Sequence, residues 1–451
     1  MENRASSLEK RFSFLLENRE KKSKLRRLTG LGAGMVDFSS NSYLSLSDQP
    51  TIRKNYLSLL ETYGTTSLQA KSLSLIGSGG SRLLDGNSDF AETLEYTIAE
   101  FHGGPAALLF NSGFDANVGL FSSVPQPGDI IVYDELIHAS VHDGMRLSRA
   151  TEKVGFRHNS VFESLEDQTS STKSLDAVLE HLTSGGARED VLLGKRNVFV
   201  AIEGIYSMDG DTSPLKDIFT CVEARLPRGN GYIIIDEAHS TGVLGDQGRG
   251  LVCELGLEDK IFARVHTFGK AMGCSGAAVI SSQTTRLYLI NYARSLIYTT
   301  AMPFLSLASI RIAYEFLSRG YAESLLGHLK ELVDYTFQSL LALCANSDTG
   351  ILRVEKRRSW SPIIPIFTTE PRSLAKYCQE QGFMVRPIVA PTVPLGTERV
   401  RVCLHVANTT YQIDGLLEAI KHWVQENSGT FSHASHDERR NLCSLDVKPK
   451  L

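Results

Sequence analysis

No apolar run in this 451-residue chain approaches the roughly 18 residues that a membrane-spanning helix requires, so no membrane span is expected. Cysteine is sparse and poorly arranged. The seven residues, Cys221, Cys253, Cys274, Cys344, Cys378, Cys403 and Cys443, are odd in number, scattered, and include no C-x-x-C pair. That pattern gives neither a disulfide framework nor a zinc site, and no metal is expected. Charge of one sign is lacking too: a net −4 exerts no general pull toward nucleic acid or an acidic membrane. No internal repeat stands out. One glycine-rich stretch, GSGGSRLLDGN (77–87), superficially resembles a phosphate loop, but it lacks the G-K-[ST] ending and its preceding SLSLI leaves the Rossmann spacing unsatisfied. It reads as flexible backbone near a substrate channel.

A hydrophobic content of 42% and a charged content of 22% belong to an ordinary globular protein. From about residue 50 to 310, the runs AALLFNSG, DIIVYDE, NVFVAIEG, YIIIDEAH and GAAVISS read as buried strands separated by helical patterns. Continuous apolar strands of this kind predict an α/β domain with a mostly parallel sheet covered on both faces, and ligands then sit at the carboxyl ends of the strands. After about 318 the order changes to a long helical stretch, PIIPIF, a second helix and RVRVCLHVA, a smaller C-terminal α/β domain. The expected divisions are an N-terminal helical docking segment (1–43), a large domain (44–317), the small domain (318–426) and a polar tail (427–451). The tail stops at Pro449-Lys450-Leu451, which keeps the last two positions of the peroxisomal S-K-L address. The location expected from it is the peroxisome, with the cytoplasm as the alternative.

The stretch HTFGKAMGCSGAAV (266–279) places one cation, Lys270, among small and apolar neighbours. A lysine there is either a solvated loop residue or one whose amine is used, and buried lysines of lowered pKa form Schiff bases, most often with pyridoxal 5'-phosphate (PLP). A PLP site needs further parts. Asp236 follows the strand YIII, and His239 stands three residues on; D-x-x-H alone is a weak signal, but here a G-K follows 34 residues (270 − 236) after Asp236. His138, in HASVHDGM, follows a strand and has the flat shape that stacks on a ring. In FNSGFDANVG (110–119), Gly113 lies between a strand and a helix, where backbone N–H groups bind phosphate. Ser112, Thr267, Thr299 and Thr300 add hydroxyls. Each taken singly reads as a helix cap.

In order, NSYLSLS, GSGGSRLLDG, LLFNSGFDAN, HAS, EGIYSMDGDTSPL, DEAHSTGVLGDQGRG, TFGKAMGCSGAAV, ARSLIYTTAMP and PTVPLGTERVRV resemble the α-oxoamine synthases, PLP enzymes of fold type I, over residues 26–425. Within that family the chain is most similar to the branch that makes the first committed biotin intermediate. The resemblance implies an acyltransferase that condenses L-alanine with a pimeloyl thioester such as pimeloyl-CoA, releasing CoA and CO2. It implies Lys270 as the Schiff-base lysine, Asp236 at the pyridine nitrogen, His239 at the phenolic oxygen and His138 on the ring face, these four being the catalytic set. Gly113, Phe114, Ser207 and Thr267 become cofactor contacts, and Thr299 and Thr300 reach the phosphate of a neighbouring subunit in a homodimer with shared active sites. Arg26, Asn41, Thr392 and Arg401 fall on the substrate side.

Departures are visible. Ser42 and Ser45 replace an acid and a glycine of the family wording NDYLGL. The arginine that the biotin branch carries shortly before PPTVP is Val389, with Arg386 three residues earlier. That change leaves open a second reading, in which the acyl partner is a polyketide chain released onto an amino acid. An insertion over 163–190 carries no legible chemistry.

Overall fold

Strands buried on both faces are apolar at most positions, because there is no solvent side for polar residues to occupy. The computed structural model, which describes residues 6–22, 24–66, 76–163, 172–184, 189–345, 351–356 and 359–431, has such a sheet at its centre. A short first strand, β1 (Val36–Asp37), precedes the central seven: β2 (Ala106–Phe110), β3 (Ile130–Asp134), β4 (Glu152–Phe156), β5 (Val198–Glu203), β6 (Gly231–Asp236), β7 (Ala263–Thr267) and β8 (Ala277–Ser281). Their order across the sheet is β2-β8-β7-β6-β5-β3-β4. β8 alone runs against the others, antiparallel to both β2 and β7. The expected α/β architecture with a mostly parallel sheet is present.

The two faces divide the side chains by alternation. Val198, Val200 and Ile202 of β5 and Ile233 and Ile235 of β6 join one core. Phe199 and Ala201, with Ile234 of β6 and Ala263 and Val265 of β7, join the other. The helices Gly113–Ser123 and Ala139–Leu147 cover this second core through Ala116, Leu120, Val141 and Met145. Continuing the period of two, Glu203, Asp236 and Thr267 at the strand ends fall on that same second face.

Beyond the large sheet the chain forms β9 (Ile363–Phe367), β10 (Phe383–Met384), β11 (Arg386–Ile388) and β12 (Arg399–Cys403). An antiparallel sheet has the order β11-β12-β9, while β1 pairs with β10. Residues 36–38 are thus tied to the small domain, since Phe38 N–H donates to Met384 O and Phe38 O accepts from Cys403 N–H. The N-terminal helix expected to dock forms over Ser7–Lys21, with a capping box from Ser6 and Glu9, but buries no residue in the single chain. The stretch 77–87, expected to be flexible, is held. Ser78 Oγ donates to Ala301 O at 2.8 Å, Ala301 N–H donates to Gly80 O, and Arg82 pairs with the buried Glu95. Residues 164–171 and 185–188 of the 163–190 insertion and the Pro449-Lys450-Leu451 ending lie outside the described residues. No helix among the described residues is long and apolar enough to cross a membrane.

Candidate active site

Asp236 closes β6 with both carboxylate oxygens engaged. Asn117, on the helix after β2, donates through Nδ2 to Oδ2 at 2.7 Å, and the Ala238 N–H donates to Oδ1 at 2.9 Å. The same Asn117 amide donates to Ser140 Oγ at 3.0 Å, and that hydroxyl lies 2.7 Å from Nδ1 of His138. His138 caps the helix Ala139–Leu147, its Nδ1 accepting the Ser140 N–H at 3.2 Å. An Nδ1 that accepts a backbone N–H places the ring proton on Nε2. Burial lowers the His138 pKa; Asp236 opposes that and Lys270 adds to it. The ring is held neutral and fixed in orientation.

Lys270 lies in the nine-residue connection 268–276 between β7 and β8. Burial pulls its amine down to about 8, against the charges of Asp236 and Glu203, which pull it upward. A lysine with that proton affinity has a useful neutral fraction near physiological pH, as a nucleophile or base requires. His239 is buried and its imidazole is pushed well below its usual range, first by burial and then by the Lys270 charge. Its Nδ1 lies 2.7 Å from the Tyr43 hydroxyl.

Gly113 opens the helix Gly113–Ser123 with no room for a side chain. A Cβ there would meet Cγ2 of Thr267 at 2.3 Å. The N-terminus is capped by Ser112, whose Oγ accepts the Asp115 N–H at 3.1 Å. Phe114 is exposed. Ser207 is half-buried in the turn after β5, which the small domain grips: Asp209 pairs with Arg399, and a Cβ on Gly210 would meet Ile363 O at 2.4 Å. Thr299 and Thr300 are placed by Asn111 at the end of β2, whose Nδ2 donates to Thr299 Oγ1 at 3.3 Å and to Thr300 O at 2.8 Å.

On the small-domain side, Arg401 of β12 is buried and donates through Nη2 to Asn41 Oδ1 at 2.7 Å, while its buried Nε has no partner. Such a donor is open to a ligand carboxylate. The structure therefore brings together Lys270, Asp236, His239, His138, Gly113, Thr267, Asn41 and Arg401. Arg26 and Thr392 are exposed, and among the described residues neither side chain has a hydrogen bond or ion pair.

Sequence reasoning missed Asn117, Tyr43 and Glu203. Asn117 stood inside a quoted motif and would have followed from helical spacing, four residues after Gly113 on the face toward the sheet. Tyr43 gave no signal, because its role rests on contacts with residues nearly 200 and 360 positions away. Glu203 could have been found by noting that NVFVAIE, like YIIID, ends an apolar strand in an acid.

Among proteins of known identity, the chain matches the family model described as aminotransferase class I and II over residues 33–420. It is 53% identical over 410 residues to the 8-amino-7-oxononanoate synthase of Emericella nidulans, across 91% of this chain and 94% of that one. It is 38% identical to the aminoacyl transferase sphA of Aspergillus fumigatus, across 87% and 81% of the two chains. The structure resembles serine palmitoyltransferase of Sphingomonas wittichii with a TM-score of 0.76 at 24% identity, covering 95% of this chain and all of the other, a likeness of fold. It also resembles the 8-amino-7-oxononanoate synthase of Francisella tularensis, with a TM-score of 0.65 at 26% identity over 87% and 98% of the two chains.

Proposed function

We propose a reaction for a chain that belongs to the class I and II aminotransferase family: PLP-dependent condensation of L-alanine with pimeloyl-CoA, giving 8-amino-7-oxononanoate, CoA and CO2. The observation that carries the PLP chemistry is the placement of Lys270, Asp236 and His138 at one edge of one sheet face, the amine softened to about 8 beside a carboxylate whose oxygens are both fixed. The choice of substrates is supported by the 53% identity to an 8-amino-7-oxononanoate synthase.

The residues fit PLP. Asp236 offers a carboxylate to the pyridine nitrogen, His138 a fixed ring face, and Lys270 an amine for the aldehyde. The helix start at Gly113, opposite Thr267, is a cradle that any Cβ would fill and that suits a phosphate. When bound, PLP supplies an electron sink for charge developing on the amino acid's α-carbon. The chain's own residues do the rest. Arg401 takes the amino acid's carboxylate through the face left open at Nε, Asn41 steadies that guanidinium, and Lys270 removes and returns the α-proton. Thr300, exposed in the single chain, serves the site of a second copy in a homodimer.

The similarity to an aminoacyl transferase, together with Val389, favours one alternative acyl partner, a longer acyl or polyketide thioester used with the same chemistry. Release of CoA from pimeloyl-CoA in the presence of L-alanine and PLP separates the two. Turnover abolished by Lys270→Ala supports the proposal; activity confined to long or branched acyl thioesters replaces it with the alternative.

A further inference from the structure

The small antiparallel sheet turns one face to the large domain. Alternation along β12 puts Arg399 and Arg401 on that face, while Val400 and Val402 join the core that the helix Pro371–Glu380 enters through Leu374 and Cys378. Arg399 pairs with Asp209 of the large domain and lies over the Phe367 ring at 4.6 Å. Arg401 reaches Asn41. On β11, the register partner of Arg401 is Arg386. Directly opposite residues of an antiparallel pair share a face, with Cβ atoms about 4.5–5.5 Å apart. Arg386 therefore stands beside Arg401 on the side that meets the site.

The three arginines are not equally satisfied. Arg399 has the carboxylate of Asp209. Arg401 meets a neutral amide and keeps a buried Nε without a partner. Arg386 has no hydrogen bond or ion pair among the described residues. Like charges directly opposite one another weaken a sheet. Two adjacent guanidiniums, neither with an acid, suit a ligand set that brings two separate anions. The amino acid's carboxylate answers Arg401, which leaves Arg386 for an anion on the acyl partner. β11 is an edge of its sheet, so a strand flanks Arg386 on one side only, and the residue is half-buried.

We propose that Arg386 binds the carboxylate at the far end of the acyl chain and so selects ω-carboxyacyl thioesters over plain fatty acyl ones. This deepens the condensation of L-alanine with pimeloyl-CoA and rests on that reading for the identity of the second anion. The planar guanidinium takes a carboxylate through two parallel N–H···O bonds. No bond forms or breaks at Arg386, which sets specificity. The phosphates of CoA offer the same anion chemistry, and the test separates the two sources.

Titration calorimetry on the PLP-loaded full chain compares pimeloyl-CoA with heptanoyl-CoA, an ester of equal chain length without the free carboxylate. The wild type is expected to bind pimeloyl-CoA at least about tenfold more tightly, as one charge-assisted contact provides. Arg386→Met erases the difference by weakening pimeloyl-CoA alone, and Arg386→Lys, which keeps the charge without the fork, falls between. Equal weakening of both esters assigns Arg386 to the CoA phosphates and overturns the proposal, as does unchanged binding of pimeloyl-CoA. Steady-state kinetics add a second readout: the KM for alanine stays at the wild-type value, and a rise matching that for pimeloyl-CoA would reduce Arg386 to a support for Arg401 and overturn the proposal. Should Arg386→Met not fold, the wild type and Arg386→Lys decide, since a preference absent from the first or untouched in the second overturns the proposal. A wild type that prefers pimeloyl-CoA in binding, yet never turns it over with alanine, counts against the proposed function and leaves the role of Arg386 standing.

Discussion

The Tyr43 hydroxyl lies 2.7 Å from Nδ1 of His239 and 3.2 Å from Oδ1 of Asn41, the atom that also accepts from Arg401. The Arg401 guanidinium and the His239 imidazole are therefore one connected network, joined through Tyr43 and Asn41 of the N-terminal segment. Burial keeps the phenol protonated, its pKa raised above the ordinary value. A phenol has one proton; given to Asn41 Oδ1, which only accepts, it leaves the Tyr43 oxygen to accept from the Nδ1–H of His239.

Tyr43→Phe removes that hydroxyl and leaves a buried ring nitrogen without its partner, a loss of about 1–3 kcal/mol. The expected result is a KM for alanine raised about tenfold, with kcat lowered less, since the carboxylate grip loosens before the lysine chemistry does. Steady-state kinetics check it, and an unchanged KM would refute the network's role.

Asn117→Ala strips one donor from Asp236 and the support from Ser140, which aligns His138. PLP affinity should fall about tenfold, the equivalent of about 1.4 kcal/mol for a lost charge-assisted bond. An absorbance titration of the apo protein with PLP measures it. Retention of wild-type affinity would mean that Ala238 alone suffices to fix the carboxylate.

Gly113→Ala sets a methyl against Cγ2 of Thr267. PLP binding should be lost and Tm should drop. Because Thr267→Ser deletes that methyl while keeping the hydroxyl, the double variant Gly113→Ala/Thr267→Ser should regain much of both. Failure of this rescue would place the intolerance in the backbone rather than in the contact.

His158 lies between Asp134, with Nδ1 to Oδ1 at 2.9 Å, and Asp211, with Nε2 to Oδ2 at 2.8 Å. Burial alone lowers its pKa, but the two carboxylates outweigh this and raise it to about 10. The folded value exceeds the unfolded value of about 6.5, so the protonated ring stabilises the fold fully below about 6.5 and loses that contribution as pH rises to about 10. His158→Gln should cost on the order of 3 kcal/mol at pH 6 and much less at pH 10. Urea unfolding at the two pH values checks it; equal losses would show that the pair is not charged.

Five of the seven central strands were legible because their residues are apolar without interruption. β7, ARVHT, was not: Arg264 and His266 alternate with apolar residues and suggest a solvent face, yet both are buried. Arg264 Nη1 donates to His102 O at 2.8 Å, and His266 Nδ1 lies 2.9 Å from Thr241 Oγ1. Partners about 25 and 160 residues away removed the cost that local pattern reading assigns to buried polar groups. β4 was hidden by the charges of Glu152 and Lys153 on an edge strand. At the site, Lys270, Asp236, His239 and His138 were legible since each stands beside a strand end in a quoted motif. Tyr43 was not, because its importance lies in who meets it. The fixing of the 77–87 stretch was also hidden, since glycine and serine advertise freedom while Ser78 and Arg82 supply the restraints.

The reversal of β8 bears on the order in which the sheet is built. β7 and β8 pair within residues 263–281, so the turn bearing Lys270 closes locally. β2 must wait for β8, its neighbour in the sheet, across the span from Ala106 to Ser281. Short-range pairing is kinetically favoured over long-range pairing. The lysine's turn is thus expected to form early in refolding, and the helix start at Gly113, directly after β2, to settle into place late. If that helix start holds the cofactor's phosphate, as proposed, uptake follows closure of the edge strand and marks the end of folding rather than guiding it.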